Sequence, residues 1–441
     1  MSTAPKLSAA PELLVEPVSA LVDRARRIEL RGFTPGAQVV LRSALAHPDG
    51  SRWESAASFV ADAEGRVDLA RHVPLQGDWQ LPDPSAPLWS LRRLAAPTDP
   101  ALSEGLAPLT VTLHAADESG RQATAQLELL FVAPGVTRRA VVEDGLAGAL
   151  FTPAGPGPHP LVLVLAGSGG GLHEPRAALY AAHGYAALAL GYFKTPGRPD
   201  HIGDMPLEYF DTALRWARRT LAPRHGFVAV SGVSRGGELA LLLGATYPQL
   251  VSAVIAYVPS AYLHGTLRAG HPEQPRDATV WTLAGKGLPN AWQDNPHADW
   301  TRFDHPAQTG MPIRQAAAFQ SVMGDVERVA AARIAVEKIG GPVLLISGTD
   351  DGFWPSTQYA EQVVDTLQAQ SHAWPVEHVV GVGAGHAIGV PQLPATLIAK
   401  PHPVSGVVLD GGGTAAANAL ASARSWRRVL GFLARATGAQ A

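Results

Sequence analysis

The chain turns from strand to helix at a single serine. The run Val228-Ala-Val-Ser-Gly-Val is short, apolar and β-branched, and Arg235-Gly-Gly-Glu-Leu-Ala-Leu after it has helical composition. Between them, Gly232-Val-Ser234-Arg-Gly236 places a glycine two positions to either side of Ser234. A strand can reverse into a helix this sharply only where no Cβ obstructs the turn, and such a turn lifts the serine hydroxyl to the sheet edge. With 45 glycines in the chain, a chance Gly-x-Ser-x-Gly is not rare. The strand before and the helix after argue for a nucleophile elbow, with Ser234 as the nucleophile.

An elbow serine needs a base, an acid to orient that base, and donors for an oxyanion. Val376-Glu-His-Val-Val reads as a final strand, and Gly381-Val-Gly-Ala-Gly-His386 follows it. Of 16 histidines, His386 is the one in a glycine-rich, strand-terminal loop downstream of the serine, which suits a general base. Upstream, Gly341-Pro-Val-Leu-Leu-Ile-Ser-Gly stops at the adjacent carboxylates Asp350 and Asp351. The chain order Ser234, Asp351, His386 is that of the α/β-hydrolases. In that fold the acid follows the strand-terminal glycine by three positions, which selects Asp351 and leaves Asp350 as a cap or turn residue.

Before the elbow, His159-Pro-Leu-Val-Leu-Val-Leu-Ala is a fully apolar strand that ends in Gly167-Ser-Gly-Gly-Gly171. A glycine run there exposes backbone N–H groups, so one oxyanion donor is expected from Ser168 or Gly169 and the second from the Arg235 amide. The run lacks the lysine and Ser/Thr of a phosphate-binding loop, which excludes nucleotide binding by that device.

Strand and helix alternate from about residue 136 onward. Apolar strands begin at Ala149, Leu161, Tyr185, Phe227, Ala253, Val343 and Val376, and helical stretches fall at 176–183, 206–221, 234–247, 356–370 and 415–434. This pattern predicts a largely parallel sheet covered on both faces. Residues 1–135 differ in texture. Short alternating segments at 27–31, 38–42, 56–60, 109–114 and 125–130 are divided by turn sequences ending in Gly50, Gly65 and Gly120. That spacing predicts an all-β sandwich of immunoglobulin type, with Trp79 and Trp89 packed beneath a proline-rich loop. The expected organisation is therefore a β-sandwich domain over 1–135 and an α/β-hydrolase catalytic domain over 136–441. Residues 262–330 interrupt the alternation where hydrolases often carry a lid, and read equally as helical decoration.

Composition excludes several functions. A net charge of −3 gives no electrostatic case for nucleic acid or an anionic membrane, and no apolar run approaches the length of a membrane helix. The absence of cysteine rules out disulfides, thiolate nucleophiles and cysteine-ligated metals, and suits a reducing cytoplasm. No His/Asp/Glu cluster has zinc-ligand spacing, so neither metal nor cofactor is expected. The first residues lack the basic and apolar regions of a signal peptide, and the last lack a peroxisomal Ser-Lys-Leu.

Taken together, the motifs resemble those of the acyl-CoA thioesterases and bile acid-CoA:amino acid N-acyltransferases. Glu16-Pro-Val-Ser-Ala-Leu-Val-Asp, Gly65-Arg-Val-Asp-Leu and Leu88-Trp-Ser-Leu are similar to the family's N-terminal domain. The 167–172 loop with Arg176-Ala, Met205-Pro-Leu-Glu-Tyr-Phe, the elbow, Gly348-Thr-Asp-Asp and Gly383-Ala-Gly-His386 are similar to its catalytic domain. The chain departs from the family after the base, where Ala387-Ile-Gly-Val-Pro-Gln replaces a Glu-Pro-Pro-Tyr-like sequence. The resemblance implies hydrolysis of acyl-CoA through an acyl-serine. Acyl transfer to an amino acid and general ester hydrolysis are the alternatives. Lys194, Arg198, Arg138 and Arg139 lie near strand ends and are candidates to meet CoA phosphates, or are ordinary solvated faces.

Overall fold

The computed structural model describes residues 10–99, 102–103, 105–301 and 312–438. The chain forms two compact units, one of residues 1–131 with 390–397 and one of 132–389 with 398–441.

The second unit is built on eight strands. They are β1 Thr137–Val141, β2 Gly148–Thr152, β3 Leu161–Leu165, β4 Ala186–Leu190, β5 Val228–Val233, β6 Ala253–Tyr257, β7 Val343–Gly348 and β8 Val376–Gly381. Their order across the sheet is β1-β2-β4-β3-β5-β6-β7-β8. β2 runs antiparallel to β1 and β4, and every pairing from β4 to β8 is parallel. This is the α/β-hydrolase arrangement.

Every residue of β3, β4 and β6 is buried, as expected of parallel strands covered on both faces. Helix Glu174–Ala182 packs on β4 and β2, Arg235–Thr246 on β5 and β6, and both Ser356–Ala369 and Ala415–Ala436 on β7 and β8. Tyr180 meets Trp426 at 5.1 Å between ring centres, which joins the first and last of these helices. Each large apolar side chain buried this way contributes about 1.5–3 kcal/mol. Because β3, β5, β7 and β8 are parallel, the loops that follow them gather at one sheet edge, where open α/β sheets bind ligands.

The 262–330 region contributes Trp281–Leu283, which pairs with Met205–Pro206 and Lys286–Gly287 in a small sheet, and the short helix Ala316–Ser321. Residues 302–311 of that region lie outside the described residues. Beyond the loop that follows β8, Ala399–Pro401 and Val408–Asp410 form a hairpin.

In the first unit, strands Glu12–Glu16, Arg27–Arg31 and Val67–Asp68 make one sheet, and a seven-stranded sheet is centred on Gln38–Ala46, Arg52–Val60, Leu109–Asp117 and Gln122–Leu130. Burial alternates along Gln38–Ala46, which sends Val39, Leu41 and Leu45 inward. Trp79 and Trp89 are buried. The 390–397 segment, distant in sequence, is bonded into this unit. Thr396 Oγ donates to Leu91 O at 2.6 Å, and Gln392 Nε2 donates to Arg24 O at 2.7 Å.

Candidate active site

Ser234 follows β5 and caps the helix Arg235–Thr246, with φ 58° and ψ −121°. That conformation costs an L-residue on the order of 1–3 kcal/mol. It is held by Ser234 N–H donating to Tyr257 O at 2.9 Å, and by Ser234 O accepting from Gly237 and Glu238 N–H. A Cβ at Gly232 would lie 1.8 Å from Gly236 O, and one at Gly236 would lie 2.4 Å from Ala166 O. The sequence allows the turn because both positions are glycine.

His386 and Asp351 meet across the loops that follow β8 and β7. His386 Nδ1 lies 3.0 and 2.9 Å from the two Asp351 carboxylate oxygens. The Asp351 side chain is 1% exposed, and its Oδ1 also accepts from Phe353 N–H at 2.9 Å. Phe353 stacks on the imidazole at 4.4 Å and fixes the ring plane. Asp350 points elsewhere. It takes Arg314 Nη2 at 2.6 Å and Gly413 N–H at 2.8 Å, and that guanidinium holds its carboxyl below the ordinary range. His386 Nε2 is buried and has no hydrogen-bond partner among the described residues, so the ring does not bond Ser234 Oγ in this conformation. Base–nucleophile bonds of this kind commonly tighten only when substrate is bound.

Ser168 and Gly169 are the central residues of a turn closed by Gly170 N–H to Gly167 O at 3.1 Å. The backbone of Gly167 lies against Ser234, since a Cβ there would stand 3.3 Å from Ser234 Cβ. A small cavity is lined by Ser168, Ser234 and Arg235, with Gln315, Phe353, Trp354 and His402 also in its wall. Gly169 faces Pro403 instead, with 3.1 Å from a would-be Cβ to Pro403 Cγ. The Arg235 N–H, at the first helical position, has no intrahelical acceptor.

The Arg235 side chain turns away into the core. It pairs with Glu238 at 3.0 Å and donates to His264 O and Gly265 O at 3.1 and 2.8 Å. Burial pushes the Glu238 carboxyl up, while Arg235 and the Trp281 indole N–H pull it down. This pair pins the elbow helix to the 264–269 segment, which contributes Thr266, Leu267, Arg268 and Ala269 to the cavity wall.

His402, Phe353 and Gln315 carry no motif in the sequence. His402 comes to the site on the 399–410 hairpin, a short and proline-flanked element with no periodicity to mark it. Of the four cations near strand ends, Arg138 pairs with Glu174, Arg139 pairs with Glu143, and Arg198 bonds Gly145 O and lies over the Tyr209 ring. Lys194 stands beside the candidate site, its Nζ donating to Pro403 O at 2.7 Å.

Two family descriptions cover most of the chain. The acyl-CoA thioester hydrolase/BAAT N-terminal region matches residues 23–143, and the BAAT/acyl-CoA thioester hydrolase C-terminal region matches 205–439. The chain belongs to this family. Among its relatives, mouse acyl-coenzyme A thioesterase 6 is 31% identical over 96% of both chains. Mouse mitochondrial acyl-coenzyme A thioesterase 2 is 30% identical over 95% of this chain and 87% of its own. Mouse peroxisomal succinyl-coenzyme A thioesterase is 28% identical over 97% of each. Among the described residues, no helix is long and apolar enough to cross a membrane, and no group of three or more His, Asp or Glu side chains could hold a metal ion.

Proposed function

We propose that the protein is an acyl-CoA thioesterase that works through an acyl-enzyme on Ser234. Ser234 Oγ attacks the thioester carbonyl while His386 Nε2 takes its proton, and Asp351 holds the imidazole tautomer and stabilises its cation. The carbonyl oxygen becomes an oxyanion, met by the Arg235 amide and by an amide at Ser168 or Gly169. Collapse breaks the C–S bond, and the His386 proton leaves with the CoA thiol. Water, deprotonated by His386, then attacks the acyl-serine and releases the acid. No cofactor enters these steps.

The observation that carries the reading is a strained elbow serine in a cavity wall, with a bonded His–Asp pair on the two loops beyond it, in a chain whose relatives are named for this activity. A family that includes amino-acid transferases makes amide formation the competing outcome. An acyl thioester on cysteine reacts well with amines, whereas an acyl-serine is an ordinary ester more readily left to water, so Ser234 favours hydrolysis. The cysteine-free composition suits a reducing compartment, and a cytoplasmic location completes the proposal.

A panel of acyl-CoAs of rising chain length beside p-nitrophenyl esters, read as kcat/KM, tests the substrate class. The expected result is a preference for thioesters of about tenfold or more. A preference for the oxygen esters would make the protein a carboxylesterase on the same fold.

A further inference from the structure

The oxyanion loop carries a hydroxyl whose orientation is set from a distant part of the chain. Ser168 Oγ lies 3.0 Å from His402 Nε2, and both residues line the cavity that holds Ser234 and Arg235. His402 is 7% exposed and anchored in its hairpin. Its own N–H donates to Val407 O at 2.8 Å, and its carbonyl accepts from Gly406 N–H at 2.8 Å. The tautomer follows from the other ring nitrogen. Nδ1 lies 3.3 Å from both Val404 N and Ser405 N, and backbone N–H groups can only donate. Nδ1 must therefore present its lone pair, and the ring proton resides on Nε2.

That assignment fixes the direction of the bond to Ser168. Nε2–H donates, and Ser168 Oγ accepts on one lone pair. A hydroxyl that is accepting still has its own proton to give. With the imidazole on one side, that proton is directed away from His402, and Ser168 lines the same cavity as Ser234. The reverse arrangement, with Ser168 donating to Nε2, would put a proton on Nδ1 facing two backbone N–H groups. Burial and the neighbouring cations Arg268, Lys194, Lys400 and Arg235 push His402 down to about 4, so the neutral ring persists at working pH.

We propose that the Ser168 hydroxyl, oriented by His402 Nε2–H, donates a hydrogen bond to the oxyanion formed at Ser234, with His402 as the positioning residue. This rests on Ser234 as the nucleophile and extends the oxyanion site beyond its backbone amides. Pro403 against Gly169 holds the hairpin to the oxyanion loop, Lys194 Nζ on Pro403 O ties it to the loop after β4, and His386 N–H donating at 2.7 Å to the carbonyl of Gly411, the residue after the hairpin, links it to the base loop. One hairpin thus sets the position of both.

The test is a cycle of Ser168→Ala, His402→Leu, His402→Gln and the double variant Ser168→Ala/His402→Leu, assayed for kcat and KM on an acyl-CoA and a p-nitrophenyl ester. Removing an oxyanion donor of this kind lowers kcat about 10–100-fold with KM within about twofold. That result is expected for Ser168→Ala and His402→Leu alike, with the double variant no worse than Ser168→Ala alone. His402→Gln, whose amide N–H can reach Ser168 Oγ, should recover most of the loss. Wild-type kcat in Ser168→Ala, multiplied effects in the double variant, or no recovery in His402→Gln would each overturn the proposal. If His402→Leu does not fold, Ser168→Ala and His402→Gln still decide it. Turnover of the ester without turnover of acyl-CoA would sink the thioesterase reading and leave the Ser168 effect measurable on the ester.

Discussion

Ser234, His386 and Asp351 come from three loops, and Ser234 is held by backbone contacts that do not involve the His386–Asp351 pair. Ser234 is fixed by its backbone bonds to Tyr257, Gly237 and Glu238, and His386 by Asp351 and the face of Phe353. Replacing one side chain should therefore remove function and spare the fold. Ser234→Ala and His386→Ala are each expected to lower kcat by about 10⁴ or more, with unchanged near-UV circular dichroism. Turnover near wild type in Ser234→Ala would mean the nucleophile lies elsewhere. The adjacent carboxylates make a sharper comparison. Asp351→Asn should cost about 10⁴ in kcat, because the amide lets the imidazole take the wrong tautomer. Asp350→Asn loosens only the contacts to Arg314 and Gly413, and its kcat should stay within about tenfold of wild type. The opposite ranking would move the acid to the other position.

Among the elements, the turn from β5 into the helix Arg235–Thr246 has the least room for change. A methyl group at position 232 would have to displace the Gly236 carbonyl, which belongs to the first turn of the helix. Gly232→Ala is expected to destabilise the protein by about 3 kcal/mol or more in urea denaturation and to abolish activity. Wild-type stability would show that the elbow is looser than its contacts imply. The elbow was also the most legible element in the sequence, since its glycines, apolar strand and helical run each report a local steric demand. The parallel strands were legible for a related reason: burial on both faces leaves continuous apolar runs. The edge strand β1 was not, because Thr137, Arg138, Arg139 and Ala140 are exposed and carry no apolar pattern. Nor was the 390–397 segment, whose place in the first unit depends on bonds from Gln392, Ala395 and Thr396 to residues some 300–370 positions earlier. His402 was not legible for the same reason, since it meets Ser168, 234 positions away, only in space.

Across the whole molecule, buried and half-buried neutral histidines make stability sensitive to acid. Burial, reinforced by nearby cations, pushes His402 down to about 4 and His173, beside Arg176 and Lys400, down to about 3. His264, buried near Arg235, lies well below its ordinary 6.5. The folded chain binds fewer protons at these sites than the unfolded chain does. Their stabilisation is fully present above pH 6.5 and is lost as pH falls toward about 4 and about 3. Glu238 runs the other way, since burial raises it and its protonation favours the folded state on acidification. His378 is also lowered by burial, so four histidines against one carboxyl give a net loss, and Tm should fall by about 5 °C or more between pH 7.5 and pH 5. A flat or rising Tm over that interval would mean these histidines are not held neutral. Passage of an acyl group from CoA to Ser234 and then to water is decided by following the acyl group itself. Wild-type enzyme is incubated with acyl-CoA and millimolar glycine or taurine, and the products are quantified by mass spectrometry. Free acid and CoA in equal amounts with little amide are expected, whereas N-acyl amino acid as the main product would make the protein a transferase and not a thioesterase.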